Sequence, residues 1–309
     1  MSERIYPVII IGGGPAALTA ALYTARANLS PLVLAGAEPG GQLMLTSLVE
    51  NWPGTTDGIM GPELMQNMMD QVKKFGAELK FEKVTAVDFS PTPFSVTVGG
   101  TTYQGKAVII ATGAAARWLG IPGEAALIGK GVSSCANCDA AFFKDKVTGV
   151  VGGGDAACED ALALTKFASE VHLFVRASEF RASKIMTDRV QHHAKITIHY
   201  HTEVTAVLGD QTVSGVRLKN NQTSAESTFD LQGLFVAIGH TPATDIFRGQ
   251  IEIDDHGFVK MGPRMTTSVP GVFVAGDVED WRYKQAITAA GDGCRAALEA
   301  EWWIEGKKQ

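Results

Sequence analysis

The sequence predicts an α/β protein of two three-layer ββα units, the second inserted into the first. Three observations predict it. An apolar strand running through a glycine-rich turn into an Ala-rich helix occurs twice. Each occurrence is closed further on by another apolar strand that ends at a glycine. The first unit then resumes after the second has ended.

The first copy begins with Val8-Ile9-Ile10-Ile11, four apolar residues in a row, as in a strand covered on both faces. Gly12-Gly13-Gly14-Pro15-Ala16-Ala17 follows, and Leu18-Thr19-Ala20-Ala21-Leu22-Tyr23 continues as a helix. This is the G-x-G-x-x-G/A fingerprint in the strand–turn–helix setting it requires. Gly12 makes the tight turn, Gly14 lets the backbone approach a pyrophosphate, and Ala17 is small enough for helix to lie on strand. The helix N-terminus favours the phosphate charge. Val108-Ile109-Ile110-Ala111-Thr112-Gly113 is the closing strand.

The second copy is Thr148-Gly149-Val150-Val151 running into Gly152-Gly153-Gly154-Asp155-Ala156-Ala157, and its closing strand is Leu234-Phe235-Val236-Ala237-Ile238-Gly239. Such internal duplication marks two Rossmann-like nucleotide-binding domains. The first resumes at Val272-Phe273-Val274-Ala275-Gly276-Asp277, followed by a small-residue helix from about Lys284 to Glu301. The domains are therefore read as 1–117 with 245–309, and 118–244. Gly120-Ile121-Pro122-Gly123 and Gly239-His240-Thr241-Pro242 read as two linkers and a hinge.

Composition narrows the function. The 309 residues suit two domains. A net charge of -6 with scattered Lys and Arg argues against a nucleic-acid surface. The early apolar run is too short for a membrane span or a secretory core, so a soluble, cytoplasmic protein is expected. The four cysteines are too few for a disulfide scaffold. Cys135 and Cys138 form one C-x-x-C, and no second pair exists to complete a zinc tetrahedron, so no metal site is expected. They precede Ala140-Ala141-Phe142-Phe143, which reads as a helical turn whose N-terminus would lower a thiol pKa. Cys158 and Cys294, in Ala-rich helices, read as small buried hydrophobes.

With these motifs in place, the chain resembles the low-molecular-weight, two-domain thioredoxin reductases along nearly its whole length. The resemblance rests on Gly12 to Ala17, Gly40-Gly41-Gln42-Leu43, Glu50-Asn51-Trp52-Pro53-Gly54, Ala111-Thr112-Gly113, Cys135-Ala136-Asn137-Cys138-Asp139, Gly276-Asp277 and Tyr283-Lys284-Gln285-Ala286. It implies bound FAD, held by Gly12, Gly14, Pro15, Ala16, Gly41, Gln42, Leu43, Asn51, Ala111, Thr112, Gly113, Gly276, Asp277, Gln285 and Ala286. Glu38 is the candidate for the adenosine ribose, although the strand end itself is Ala35. Asp277 would accept from flavin hydroxyls; the alternative is a helix cap. The resemblance places Cys138 toward the flavin and Cys135 toward the substrate disulfide, with Asp139 protonating the departing thiolate; Asp139 could instead cap a helix. A homodimer and a thioredoxin-like protein substrate complete what it implies.

The second fingerprint would hold NADPH through Gly152, Gly154, Asp155, Ala156, Arg176 and Arg181. Here the sequence departs from the family's H-R-R-x-x-x-R segment: Val175 stands for the histidine and Ala177 for the middle arginine, and Glu179 adds a negative charge. A lost charged contact to phosphate costs about 1.5–3 kcal/mol. A weakened NADPH site is therefore expected, and the expected natural donor is not NADPH but a reduced protein such as ferredoxin, or another reductant. The second functional reading is a dithiol oxidase of the same fold that passes electrons to oxygen. Trp302 and Trp303, side by side, read as one core and one interface residue, the sharper alternative being a ring stacked near the flavin.

Overall fold

A computed structural model describes residues 4–37, 39–46 and 48–307. The chain divides into two compact units, Met1–Ala115 with Thr241–Gln309, and Ala116–His240. The division falls after Ala115 and after His240, where the sequence reading drew it after 117 and 244.

The first unit is built on a seven-stranded sheet. The strand Ile5–Ile11 lies between Leu32–Leu34 and Thr101–Ile110, parallel to both, and Glu78–Lys80 extends the sheet beyond Leu32–Leu34. Thr101–Ile110 is long enough to serve two partners on its other side. Its first half pairs antiparallel with Phe94–Val98, and its second half pairs parallel with Val272–Val274. The late strand therefore rejoins the first sheet. Val8 and Ile10 enter one core cluster, with the helices Pro15–Arg26 and Ala286–Ile304; Ile9 and Ile11 enter a second on the opposite face. Burial on both faces is why this strand is apolar at every position instead of alternating.

The second unit repeats the plan. Five parallel strands run in the order Val132–Ser133, Gly233–Val236, Val147–Val151, Glu170–Phe174, Ile196–His199. The helix Asp155–Leu164 packs on this sheet, and the antiparallel ribbon Thr202–Leu208, Gly215–Asn220, Glu226–Asp230 makes the further layer. Two hydrophobic clusters fill it, one on each side of Val147–Val151.

Three sequence expectations need correction. Gly120–Gly123 is not a crossing linker. It lies inside the second unit, where the Glu124 carboxylate accepts from the Leu119 and Gly120 N–H groups and the Pro122 carbonyl accepts from Val207. The helical turn expected at Ala140–Phe143 is present as a 3-10 turn, but helical structure begins earlier than read: Ala136–Asp139 is already a turn, with Cys135 as its N-cap and Cys138 inside it. Neither terminal tryptophan is in the core. Trp302 is 38% and Trp303 42% exposed. The indole of Trp303 lies over Gly271, where a Cβ would meet its Nε1 at 2.9 Å. Among the described residues, no helix is long and apolar enough to cross a membrane.

Candidate active site

In the second unit, the chain leaves the strand Val132–Ser133 and turns directly into Cys135–Asp139. Cys135 and Cys138 are joined as a disulfide. The Cys138 N–H donates to Cys135 Sγ at 3.2 Å, so the N-cap sulfur takes the place a Ser or Asp oxygen usually fills. Ser133, buried, binds the turn at its root: its Oγ accepts from the Cys135 N–H at 3.1 Å, and its hydroxyl donates to the Asp139 carboxylate.

Asp139 does not act as a helix cap; its side chain bonds no cap N–H of the turn that follows. Burial raises its pKa, and the Ser133 hydrogen bond only partly opposes that. A carboxyl with a raised pKa, one residue from Cys138 in the chain, is a candidate proton donor to a departing sulfur. Asp160 also reaches the turn, on its other side, accepting from the Ala136 N–H at 3.3 Å. Burial pushes it up to about 7, with Glu159 adding to the rise and the Ala136 hydrogen bond opposing it. Neither Ser133 nor Asp160 was picked out from the sequence. Ser133 sits at a strand end with no motif around it, and Asp160 reads as one of the polar positions of the fingerprint helix.

Both glycine fingerprints have the same local geometry. Gly12 has φ +138°, and a Cβ there would lie 2.1 Å from the carbonyl oxygen of Ala111, the end of the closing strand. Gly152 has φ +152°, with its would-be Cβ 2.5 Å from the Ala237 carbonyl oxygen. Only glycine allows this approach. Two positions on, the space is open: nothing lies within 4 Å of a Cβ at Gly14 or Gly154. Neither helix start, Pro15–Arg26 or Asp155–Leu164, is capped by a side chain. An uncapped N-terminus behind open space suits a phosphate.

In the first unit Gly41, Ala111, Thr112 and Gly276 lie beside that start, while Asn51 and Gln285 are joined to each other. Pro15 and Ala16 form its first turn, and Gly276 packs on Ala16. Gly41, Gln42 and Leu43 open the 3-10 turn Gly41–Leu45, which passes beside Gly14. Asn51 Nδ2 donates to Gln285 Oε1 at 3.4 Å, and Gln285 caps the helix that Ala286 begins. Thr112 Oγ1 donates to the Ala243 carbonyl at 2.8 Å, and the Gly113 carbonyl accepts from Ala243. The Asp277 carboxyl is pushed up to about 6, chiefly by burial and then by Asp280, with Lys284 opposing, and its one hydrogen bond is to its own backbone N–H. A half-buried carboxyl with acceptor capacity, beside the open space at Gly14, fits the hydroxyls of a flavin dinucleotide, and that open helix start fits its pyrophosphate. Glu38 lies outside the described residues.

The second cradle is modified. Asp155 accepts from both the N–H (2.9 Å) and the hydroxyl (2.7 Å) of Ser183, and Arg181 N–H donates to the Gly153 carbonyl at 2.7 Å. Asp155 thus fastens a loop, while Ala156 stays exposed in the first turn. Val175, standing where the family has histidine, is buried and packs toward Gly153. Arg176 and Arg181 are exposed, and neither guanidinium has an ion-pair partner among the described residues; Ala177 and Glu179 are exposed beside them. Two exposed arginines, Arg176 and Arg181, therefore flank Ala177 and Glu179 on this segment. Among the described residues, no cluster of three metal-ligating side chains occurs.

Comparison with known proteins places this geometry. Residues 6–293 match the family model described as pyridine nucleotide-disulphide oxidoreductase. The chain is 54% identical to a thioredoxin reductase of Mycolicibacterium smegmatis over 98% of each chain. It is 51% identical, over 98% of its own length and 66% of the other's, to a bifunctional thioredoxin reductase/thioredoxin of Mycobacterium leprae. Among solved structures, a thioredoxin reductase from Giardia duodenalis superposes with TM-score 0.94 at 43% identity, covering 98% of this chain and 100% of that one.

Proposed function

This chain belongs to the pyridine nucleotide-disulphide oxidoreductases and, among them, to the low-molecular-weight thioredoxin reductases, and from that premise we propose that it reduces the disulfide of a thioredoxin with electrons from NADPH. The observation that carries the reading is the Cys135–Cys138 disulfide, followed in the same turn by Asp139, whose pKa burial raises. The thioredoxin partner is supported by the Mycobacterium leprae relative, whose name joins both activities in one protein. A homodimer in the cytoplasm is the accompanying expectation from the family.

FAD, when bound at Gly12, Gly14, Gln42, Asn51, Asp277 and Gln285, would supply the two electrons that open the disulfide. With two protons, Cys135 and Cys138 become thiols. Cys135, at the N-cap, is the attacking thiolate. It forms a bond to one sulfur of the partner, whose S–S bond breaks, and Asp139 gives its proton to the departing sulfur. Cys138 returns a proton to Asp139 and attacks Cys135 Sγ. The mixed disulfide breaks, the Cys135–Cys138 bond re-forms, and the partner's second sulfur takes up from solvent a proton equal to the one Cys135 released on ionising, so the partner leaves as a dithiol. Ser133 keeps Asp139 and the Cys135 backbone in register through these steps.

NADPH is favoured over ferredoxin because Arg176 and Arg181 are exposed, with no ion-pair partner among the described residues, and the segment is fastened to Gly153 at Arg181. Anaerobic mixing of the oxidised holoprotein with NADPH, or with reduced ferredoxin, followed by oxidised thioredoxin, tests the reading. We expect NADPH to bleach the flavin band and two thiols to appear in thioredoxin. Ala177→Arg, which restores the third cation, should reach the same rate at about tenfold lower NADPH, the effect of about 1.4 kcal/mol. Bleaching by ferredoxin alone would reject NADPH as donor. Oxygen uptake driven by small dithiols, without thioredoxin reduction, would reverse the direction of the chemistry.

A further inference from the structure

Asp160 has no part in the chemistry set out above, yet its carboxylate, from outside the redox turn, accepts a hydrogen bond from it. The turn Ala136–Asp139 is short, and the N-cap sulfur of Cys135 takes its hydrogen bond from the third N–H, that of Cys138. The first N–H, that of Ala136, donates instead to Asp160 Oδ1. The carboxylate therefore both ties the turn to the fingerprint helix Asp155–Leu164 and places a negative charge one residue from the attacking sulfur. Like charges disfavour each other's ionisation.

We propose that Asp160 is a positioning residue of the disulfide centre, which holds the Ala136 N–H and restrains the formation of the Cys135 thiolate. The restraint is pH-dependent. With its pKa pushed up to about 7, Asp160 is neutral at pH 5.5 and charged at pH 8.5, so the thiolate is opposed only toward the alkaline side. The groups around it are few. Glu159 on its own helix raises its pKa. The turn packed against it carries Asp139, Cys135 and Cys138. Of the other elements packed on the helix, Glu170–Phe174 carries Glu170 and His172, and Lys184–Gln191 carries Lys184, Asp188 and Arg189; Val147–Val151 and the 3-10 turn carry none. Burial, Ala136 and Glu159 account for the rise.

This rests on Cys135–Cys138 being the redox disulfide, and the test separates the two claims. The full-length holoprotein is reduced anaerobically with excess dithiol, freed of reductant, and Cys135 is alkylated with iodoacetamide from pH 5.5 to 8.5, its modification being read by peptide mass. Two new thiols on reduction show the disulfide to be reducible; none would sink the redox reading and this proposal with it. Asp160→Asn keeps an acceptor for Ala136 N–H but carries no charge. It should match the wild type at pH 5.5 and react about threefold to tenfold faster at pH 8, the lower figure allowing for the weaker nucleophilicity of a less basic thiolate. Asp160→Glu should restore the wild-type profile. Equal rates for Asn and wild type across the range, with two thiols present in both, would overturn the proposal alone. So would a ratio that is constant with pH, because a loosened turn carries no titration. If Asp160→Asn fails to fold, the profile of Glu159→Gln serves: removing Glu159 lowers the Asp160 pKa, so slower alkylation near pH 6.5 supports the proposal, and an unchanged profile overturns it.

Discussion

At the scale of single residues, the site depends on carboxyl groups whose burial matters more than their identity. Asp139, Asp160 and Asp277 all have raised pKa values with burial as the first cause. Sequence motifs named two of them and missed the third, because a raised pKa comes from what covers a group. Asp277 gives a direct test of sign. Its folded pKa, about 6, lies above its ordinary value of 3.8, so the fold prefers the protonated form. Its contribution is fully present below about pH 4 and is lost as pH rises to about 6, a change on the order of 3 kcal/mol. In FAD-free protein, Asp277→Asn should therefore raise the urea midpoint above pH 6, with the gap to wild type closing toward pH 4. A gap independent of pH would show that the carboxyl is not the source.

At the scale of elements, the fingerprint helix Pro15–Arg26 is rich in Ala, and the closing helix Ala286–Ile304 in Ala and Gly, because they press against each other. A Cβ at Gly293 would lie 2.1 Å from the Ala16 carbonyl oxygen, in the first turn of the phosphate-facing helix, whereas nothing lies within 4 Å of one at Gly291. Two glycines of one helix therefore have opposite expected behaviour. Gly293→Ala should cost about 1–3 kcal/mol and weaken flavin retention, through overpacking. Gly291→Ala should stabilise the protein by about 0.5–1 kcal/mol, through helix propensity. Thermal melts and released-flavin fluorescence of the two variants check both. The small-residue character of this helix was legible in the sequence; which glycine bears the contact was not, since the contact partner is distant along the chain.

At the scale of the whole molecule, the chain is two compact units with separate cores. The clusters around Val150 and Val216 belong to Ala116–His240 alone, and those around Ile10 and Val96 to the remainder. The second unit is continuous in sequence, so residues 116–240 expressed by themselves should fold cooperatively and keep a reducible Cys135–Cys138 disulfide. A non-cooperative urea transition would show that the second core needs the rest of the chain.

The amino-acid sequence by itself determined the doubled plan, the late return of the first unit, the two glycine cradles and the redox pair. These are local: a strand's apolar run, a glycine's conformational freedom and a C-x-x-C spacing are written in neighbouring residues. Only the tertiary structure decided that Gly120–Gly123 is internal, that Asp155 fastens Ser183 instead of standing free, that both terminal tryptophans lie outside the core, and that Ser133 and Asp160 brace the disulfide turn. Burial and hydrogen bonding between residues far apart in the chain fix those roles, and they exist only once the sheets have brought the partners together.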